Sequence, residues 1–212
     1  MCFHSKQSKD AQTLEHRFKA RFISTENFSQ GDFNGFTHPF CPIICNEQPE
    51  CILMAQWGVL PAWAKDRSLQ NSTLNARIET ISEKPAFKAL AAKRCLIPAD
   101  GFYEWQWLDS KGKNKRKYLL QMPNAELFSF AGLYNVWFDK AAGSTINTFT
   151  ILTTQANELM SRIHNSQLRM PVVLDFDTEK LWLQNGNLAM GNNRLQAICE
   201  EMKQQPGLWD DN

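Results

Sequence analysis

Short runs of apolar and β-branched residues alternate with turn-forming residues along the chain, without a regular strand–helix–strand order. These runs predict strands in 51–63, 94–107, 127–137, 147–156 and 169–174. Residues 22–50 are expected to form loops around one or two further strands. The mixture favours an α+β fold, a single domain over residues 1–212 with a largely antiparallel, barrel-like β core flanked by helices.

Helical periodicity marks five shorter segments. The third of them runs into His164, and the fourth is expected to be capped by Asp177 or Thr178. The last is expected to stop at Pro206-Gly207, because proline cannot continue a helix. The predicted helices are residues 9–21, 83–93, 156–164, 178–184 and 193–205.

The strand predicted after a bend at Pro98 to Gly101 carries both aromatic and acidic residues. Alternation puts Phe102, Glu104 and Gln106 on one face and Tyr103, Trp105 and Trp107 on the other. Glu104 therefore lies either on a solvent-exposed sheet face or in a pocket. The hairpin that follows has a basic tip. Its charges are either simply solvated or form a patch that binds successive phosphates of a nucleic acid.

Bulk composition indicates an ordinary soluble protein. The chain has 212 residues, 43% hydrophobic and 21% charged, with a net charge of +1. A charge this small creates no global field toward nucleic acid or membrane, so a polyanion site has to be a local patch. No apolar run is long enough to span a membrane, and the start lacks the apolar region of a signal peptide. We therefore expect a cytoplasmic protein, nucleoid-associated when bound to DNA.

Six cysteines in a chain of this kind are expected to be reduced thiols. His38, Cys41, Cys45 and Cys51 offer zinc-ligand residue types, but their spacing is irregular and no Cys-x-x-Cys pair occurs. We predict neither a metal nor a cofactor.

Cys2 offers distinctive chemistry if Met1 is removed, because an N-terminal cysteine carries an amine and a thiol on adjacent carbons. The α-amine has a reference pKa of about 7.7–8.0, against about 10.4 for lysine, so much more of it is uncharged at neutral pH. An uncharged amine attacks an aldehyde to give an imine. The neighbouring thiol can then close a five-membered thiazolidine ring at high effective concentration.

Several motifs along the chain resemble the SRAP family, the SOS-response-associated peptidase or abasic-site processing proteins. They come in the family's order and cover about residues 1–175. The most specific are LNARIET and RCLIPADGFYEW. The matching pieces are Met1-Cys2, WG-x-x-P-x-W at 57–63, LNARIET at 74–80, F-K at 87–88, RCLIPADGFYEW at 94–105, FAGLY at 130–134, T-T-x-A-N at 153–157, IH at 163–164 and RMPVVL at 169–174.

The resemblance implies covalent chemistry on abasic sites in single-stranded DNA, in which Cys2 forms a thiazolidine crosslink with the sugar aldehyde. It implies that Asn75 positions the terminal cysteine and the sugar. It further implies that Glu104 shuttles protons during ring opening and amine attack, and that His164 assists the imine step and reversal. A half-buried glutamate and a histidine are suited to such work near neutral pH.

The resemblance also implies that Arg77 and Arg169 contact phosphates of the strand. Trp57, Trp63 or Phe40 are candidate stacking surfaces, since single strands favour aromatic platforms as well as local cations. The further candidate DNA-binding residues are His4, Lys84 and Lys88. The expected partner is single-stranded DNA containing abasic sites, bound by a monomer.

The chain departs from the family pattern at three places. The chain reads Cys2-Phe3-His4 where members usually read Cys-Gly-Arg, so an arginine is replaced by a mostly neutral histidine. Thr37 to Phe40 replace an Asn-x-Ala-Pro stretch. Four residues separate His164 from Arg169, which is longer than in many members.

Two other functions remain open from the sequence. Cys2, Glu104 and His164 are also the residue types of a thiol peptidase that acts on its own N-terminus or on peptides. The basic hairpin tip and the tryptophans are also consistent with a single-strand binding module that has no catalytic activity.

Overall fold

A computed structural model describes residues 2–186 and 195–200, and β-strands dominate them. The confirmed architecture is α+β, with mostly antiparallel strands in two sheets. The strands are β1 (His4–Gln7), β2 (Arg21–Phe22), β3 (Gly31–Asn34), β4 (Phe40–Cys45), β5 (Gln48–Trp57), β6 (Asn75–Arg77), β7 (Arg94–Ala99), β8 (Gly101–Trp107), β9 (Lys115–Gln121), β10 (Phe128–Asp139), β11 (Ser144–Gln155), β12 (Arg169–Pro171), β13 (Val173–Leu174) and β14 (Gln196–Glu200).

The larger sheet closes into a five-stranded barrel. Its order runs β11-β10-β7-β4-β5, and β5 pairs back onto β11 in parallel at Gln56 and Trp57. Closure removes free strand edges from this part of the sheet. The barrel core is filled by large apolar side chains, among them Trp57, Phe130 and Phe149. β5 ends at Trp57, as predicted, and Gly58 follows with a φ of 108°, which favours glycine.

The smaller sheet brings the start of the chain beside β8. Its order is β14-β9-β8-β1-β3, so β1 is inserted between β8 and β3. The register pairs Ser5 with Phe102 and Lys6 with Gly101. The bend predicted before Gly101 is the point where the chain leaves the barrel at β7 and enters the smaller sheet at β8. Asp100 at that bend is buried and accepts hydrogen bonds from the backbone N–H and the hydroxyl of Ser8.

The helices are short and lie outside the barrel. Helix α1 begins after Asp10, whose side chain accepts from the Thr13 N–H. The predicted helix at 83–93 is one turn only, and the predicted cap of the fourth segment is wrong. Asp175 caps it in a capping box with Thr178. The helices are α1 (Ala11–Phe18), α2 (Pro85–Lys88), α3 (Glu158–Ile163) and α4 (Phe176–Asn185). In the part of the chain that the structure describes, no helix is long and apolar enough to span a membrane.

The helix predicted at 193–205 is wrong where the structure describes it. Residues Gln196–Glu200 form strand β14, which pairs antiparallel with β9 from Gln121 to Lys117. An open edge of β9 offers a full set of backbone hydrogen bonds, and these outweigh a weak local helical preference. Residues 201–205 of that prediction lie outside the described residues.

Candidate functional site

Cys2 is held at the centre of the fold, immediately before β1. Its side chain is fully buried, with 0% exposure, and packs in the main hydrophobic cluster. The Asn75 side-chain amide donates a hydrogen bond of 2.9 Å to the Cys2 carbonyl oxygen. The oxygen of that amide, Oδ1, is buried and accepts no hydrogen bond from the described residues. Asn75 therefore fixes the Cys2 backbone and keeps one buried acceptor beside it.

Burial raises the pKa of the Cys2 thiol well above its usual range, and the nearby Glu104 carboxylate raises it further. The thiol is therefore protonated at neutral pH. Reactive cysteines of the thiolate type show the opposite shift, toward lower pKa.

Glu104 lies in a pocket, which decides between the two placements left open by the sequence. Its side chain projects from β8 and the residue is 4% exposed. Burial raises its pKa from 4.5 to about 7, because the charged form loses hydration. A carboxyl with this pKa exchanges a proton readily near neutral pH, as a general acid–base group requires.

His164 faces Glu104 from the end of α3, where it forms the C-cap. Its Nε2 lies 3.9 Å from Glu104 Oε2. Its Nδ1 lies 2.8 Å from the Arg169 carbonyl oxygen, which can only accept, so Nδ1 carries the proton and Nε2 presents its lone pair. Burial lowers the pKa of His164, and the ring is neutral at pH 7.

Two connections between β8 and the end of α3 fix this pair. The Asn165 side chain accepts from the Trp107 N–H at 3.0 Å and donates to the Trp107 carbonyl at 2.9 Å, as a neighbouring strand would. Gln106 donates from Nε2 to the Arg162 carbonyl at 2.9 Å. The edge of β8 is thereby closed by the segment that carries His164.

An open cleft of about 430 Å³ gives access to this pair. It borders Phe3, the residue next to Cys2. The residues that line it are Phe3, Glu104, Trp105, Trp107, His164, Ser166 and Gln167.

The two predicted phosphate-binding arginines lie on β6 and β12, which flank β11. Arg77 is exposed, two residues beyond Asn75 on β6, and therefore on the same side of that strand. Arg169 on β12 is largely occupied, since its guanidinium makes two hydrogen bonds of 2.8 and 2.9 Å to Glu79. It also donates to the Thr153 carbonyl at 2.8 Å. The Arg169 guanidinium can form hydrogen bonds with a phosphate through these two nitrogens only if the Glu79 carboxylate moves away.

The prediction that Trp57 offers a stacking surface is wrong. It is fully buried, its indole N–H donates to the Leu74 carbonyl at 2.8 Å, and its ring stacks on Phe149. Trp63, at 56% exposure, and the half-buried Phe40 present surface to solvent, although neither lines the cleft.

The remaining candidates differ in their surroundings. His4 packs edge-on against Trp105, and burial together with Lys117 lowers its pKa, so it is neutral at pH 7. Lys84 and Lys88, at the start and end of α2, are exposed and do not line the cleft.

The zinc-ligand residue types are used for packing. Cys41 and Cys45 lie inside β4 in the core, and His38 Nδ1 is 2.8 Å from the Trp57 carbonyl oxygen. Residues 2–186 and 195–200 contain no group of three or more side chains placed to hold a metal ion. The cysteines described there, Cys2, Cys41, Cys45, Cys51 and Cys95, are free thiols.

Sequence reasoning missed the residues that support the site. Asn165, Gln106 and Glu79 act through hydrogen bonds between segments distant in the chain, and no local pattern reveals such bonds. Residue alternation predicts that Trp105 and Trp107 share one face of the strand. Their position at the cleft depends on the packing of the end of α3 beside β8.

Comparison with known proteins identifies the family and the fold. The family described as SOS response associated peptidase (SRAP) matches residues 1–208. The abasic site processing protein YoqW of Bacillus subtilis is 50% identical over 133 residues, 62% of this chain and 57% of that protein. The abasic site processing protein HMCES of Xenopus tropicalis is 31% identical over 166 residues, 67% of this chain and 48% of that protein. The chain thus spans about half the length of these curated relatives.

A crystal structure of a Bacteroides thetaiotaomicron protein superimposes with a TM-score of 0.84 at 31% identity, covering 95% of this chain and 93% of that one. A protein of Bordetella bronchiseptica, at 23% identity, shares the fold with a TM-score of 0.79. Since the family match extends over nearly the whole sequence, this chain belongs to the SRAP family.

Proposed function

We propose that this chain processes abasic sites in single-stranded DNA by covalent capture through Cys2, after removal of Met1. The observation that carries the proposal is the convergence of Cys2, Asn75, Glu104 and His164 from four separate segments beside one open cleft. The relatives named above as abasic site processing proteins support it.

The reaction joins the ring-opened sugar to one residue. The Cys2 α-amine attacks the C1′ aldehyde carbon, and the carbinolamine loses water to give an imine. The thiol sulfur then adds to the imine carbon, and its proton passes to the nitrogen. One C–N bond and one C–S bond form, one water leaves, and no oxidant is needed. The closed ring removes the imine, which is the species that would otherwise promote strand cleavage by β-elimination.

Glu104 supplies the proton transfers. With a pKa of about 7 it is about half protonated at neutral pH, so it can protonate the leaving hydroxyl and later accept a proton from the thiol. The second transfer is necessary because the buried thiol has a raised pKa and does not ionise by itself.

His164 and Asn75 orient the reacting groups. The Nε2 lone pair of neutral His164 faces Glu104 and provides an alternative proton acceptor, so the pair can relay one proton between them. Asn75 Oδ1, a buried acceptor that the described residues leave unused, accepts from the α-ammonium or from a sugar hydroxyl during the reaction. Arg77 binds a flanking phosphate, and Arg169 can bind another where the Glu79 carboxylate releases it.

The direct test is the intact mass of the protein before and after incubation with a single-stranded oligonucleotide containing one abasic site. A chain lacking Met1 is expected to gain the mass of the oligonucleotide less one water, in a species that survives denaturation. Cys2→Ala should give no adduct, and an intact duplex should react poorly. An equal adduct with Cys2→Ala would refute the proposal.

A peptidase acting on other peptides is the competing function. The raised pKa of the Cys2 thiol argues against it, since thiol peptidases depend on a thiolate. Turnover of unrelated peptides that is lost in Cys2→Ala would favour it. Salt-sensitive DNA binding without any covalent product would instead indicate a binding module.

A further inference from the structure

The cleft at Glu104 and His164 continues into a second depression. This neighbour has a volume of about 440 Å³, and Trp107 and Ser166 line both. Together they form a trough that leads from the proposed reaction site to the β8–β9 hairpin. The residues lining the second depression are Trp107, Leu108, Asp109, Ser110, Asn165 and Ser166.

The tip of the hairpin has a fixed conformation. The Asp109 carboxylate accepts from the backbone N–H groups of Lys111, Lys113 and Asn114. Gly112 has a φ of 62°, and a Cβ there would come within 2.6 Å of the Trp107 ring, so the tip packs closely on the indole. These contacts fix the backbone of Lys111 and Lys113 at the end of the trough.

The charge of this tip is nearly all positive. Lys111, Lys113 and Lys115 are exposed, and the Lys115 ammonium lies 5.5 Å from the centre of the Trp107 ring. Among the described residues, no carboxylate forms a salt bridge with Lys111 or Lys113. The carboxylate of Asp109 is turned to the loop backbone, and those hydrogen bonds hold its pKa below the usual range. The two ammonium groups are therefore available to an anionic partner.

We propose that the strand flanking the abasic site on one side runs along this trough, with phosphates on Lys111 and Lys113 and a base against Leu108 and the edge of Trp107. The inference rests on the proposed capture of abasic DNA and adds a subsite to it. A single strand suits the trough because it offers regularly spaced anions and apolar base faces. Leu108, at 52% exposure, supplies an apolar contact for a base.

The first experiment measures binding without chemistry. Fluorescence anisotropy with an undamaged single-stranded oligonucleotide compares wild type with Lys111→Ala/Lys113→Ala and with a control, Lys140→Ala/Lys180→Ala. The control removes the same charge from exposed positions at the β10–β11 turn and on α4. Loss of two phosphate contacts should weaken binding and make the salt dependence of log K shallower by about 1.4. The advantage of wild type should then shrink by about sevenfold when salt rises fourfold. The control should resemble wild type.

The second experiment locates the subsite. Crosslinking rates at subsaturating DNA are compared for oligonucleotides extended only on the 5′ side or only on the 3′ side of the abasic site. The hairpin variant should slow capture of one of the two substrates by several-fold and leave the other unchanged. Equal slowing of both, or of neither, would overturn the proposed path.

The two experiments separate the subsite from the chemistry. If wild type forms no crosslink, the proposed function fails, and the anisotropy comparison still decides whether the hairpin binds single strands. If crosslinking occurs but the hairpin and control variants bind and react alike, only the subsite is wrong.

Discussion

The Asn75 side chain and the Cys2 carbonyl are joined by a 2.9 Å hydrogen bond, although 73 positions separate the two residues. This bond connects β6, on the barrel, to the segment that precedes β1 of the smaller sheet. It therefore fixes the proposed nucleophile relative to the barrel as well as to the sheet that carries Glu104.

Asn75→Ala should slow adduct formation about fivefold, since one positioning hydrogen bond contributes on the order of 1 kcal/mol. The measurement is the rate of crosslinking at saturating abasic DNA. Asn46→Ala is a matched control, because Asn46 also bridges backbone groups away from the site, at Ala92 and at Arg94, the first residue of β7. Similar slowing in both variants would mean that Asn75 acts through stability alone.

The rate of capture by wild type should change with pH around a midpoint of about 7, because Glu104 titrates there. Glu104→Gln keeps the shape of the side chain but cannot exchange a proton, so it should be slower and should lose that inflection. Crosslinking rates from quenched time courses between pH 5.5 and 8.5 would check this expectation. An unchanged inflection in Glu104→Gln would assign the titration to another group.

Glu104 should also make folding stability depend on pH. The folded state raises its pKa from 4.5 to about 7, so the folded protein binds the proton more tightly than the unfolded chain. Protonation of Glu104 therefore stabilises the folded state below pH 4.5. About 3 kcal/mol of the free energy of unfolding is lost as pH rises to 7. Urea unfolding at pH 5 and pH 8 should show a smaller difference for Glu104→Gln. A difference equal to wild type would contradict the raised pKa.

Asn165→Ala should disturb the geometry of the pair formed by Glu104 and His164, because it removes both bonds to the Trp107 peptide. We expect slower capture, a shifted pH midpoint and faster hydrogen exchange of the Trp107 amide. Asn165→Asp should not rescue the defect, since its second oxygen would face the Trp107 carbonyl. Wild-type kinetics together with fast exchange would show that Asn165 supports only the fold.

Glu79→Gln should strengthen binding of single-stranded DNA, because it removes the charge that now occupies Arg169. The salt dependence of log K should become steeper by about 0.7 as one more phosphate contact forms. Arg77→Ala, which removes an exposed cation from β6, should weaken binding. Weaker binding in Glu79→Gln would mean that the ion pair between Glu79 and Arg169 organises the DNA-binding surface. In that case Glu79 does not compete with a phosphate for Arg169.

Local patterns predicted the regular parts of the molecule well. Strands β7, β8, β10 and β11 follow long β-branched and aromatic runs. The C-terminal segment was misjudged because the pairing partner of β14 lies about 80 residues earlier, at β9. A strand edge that distant contributes nothing to a local pattern.

The sequence by itself determined the chemical inventory, namely a cysteine at position 2, the NAR segment, the ADGFYEW strand and a histidine after α3. Only the tertiary structure decided that Glu104 is buried with a raised pKa, that Trp57 lies in the core and that Arg169 is paired with Glu79. The reason is physical. Residue type fixes which protons and bonds are available, whereas burial, pairing and pKa depend on neighbours that barrel closure brings together from distant parts of the chain.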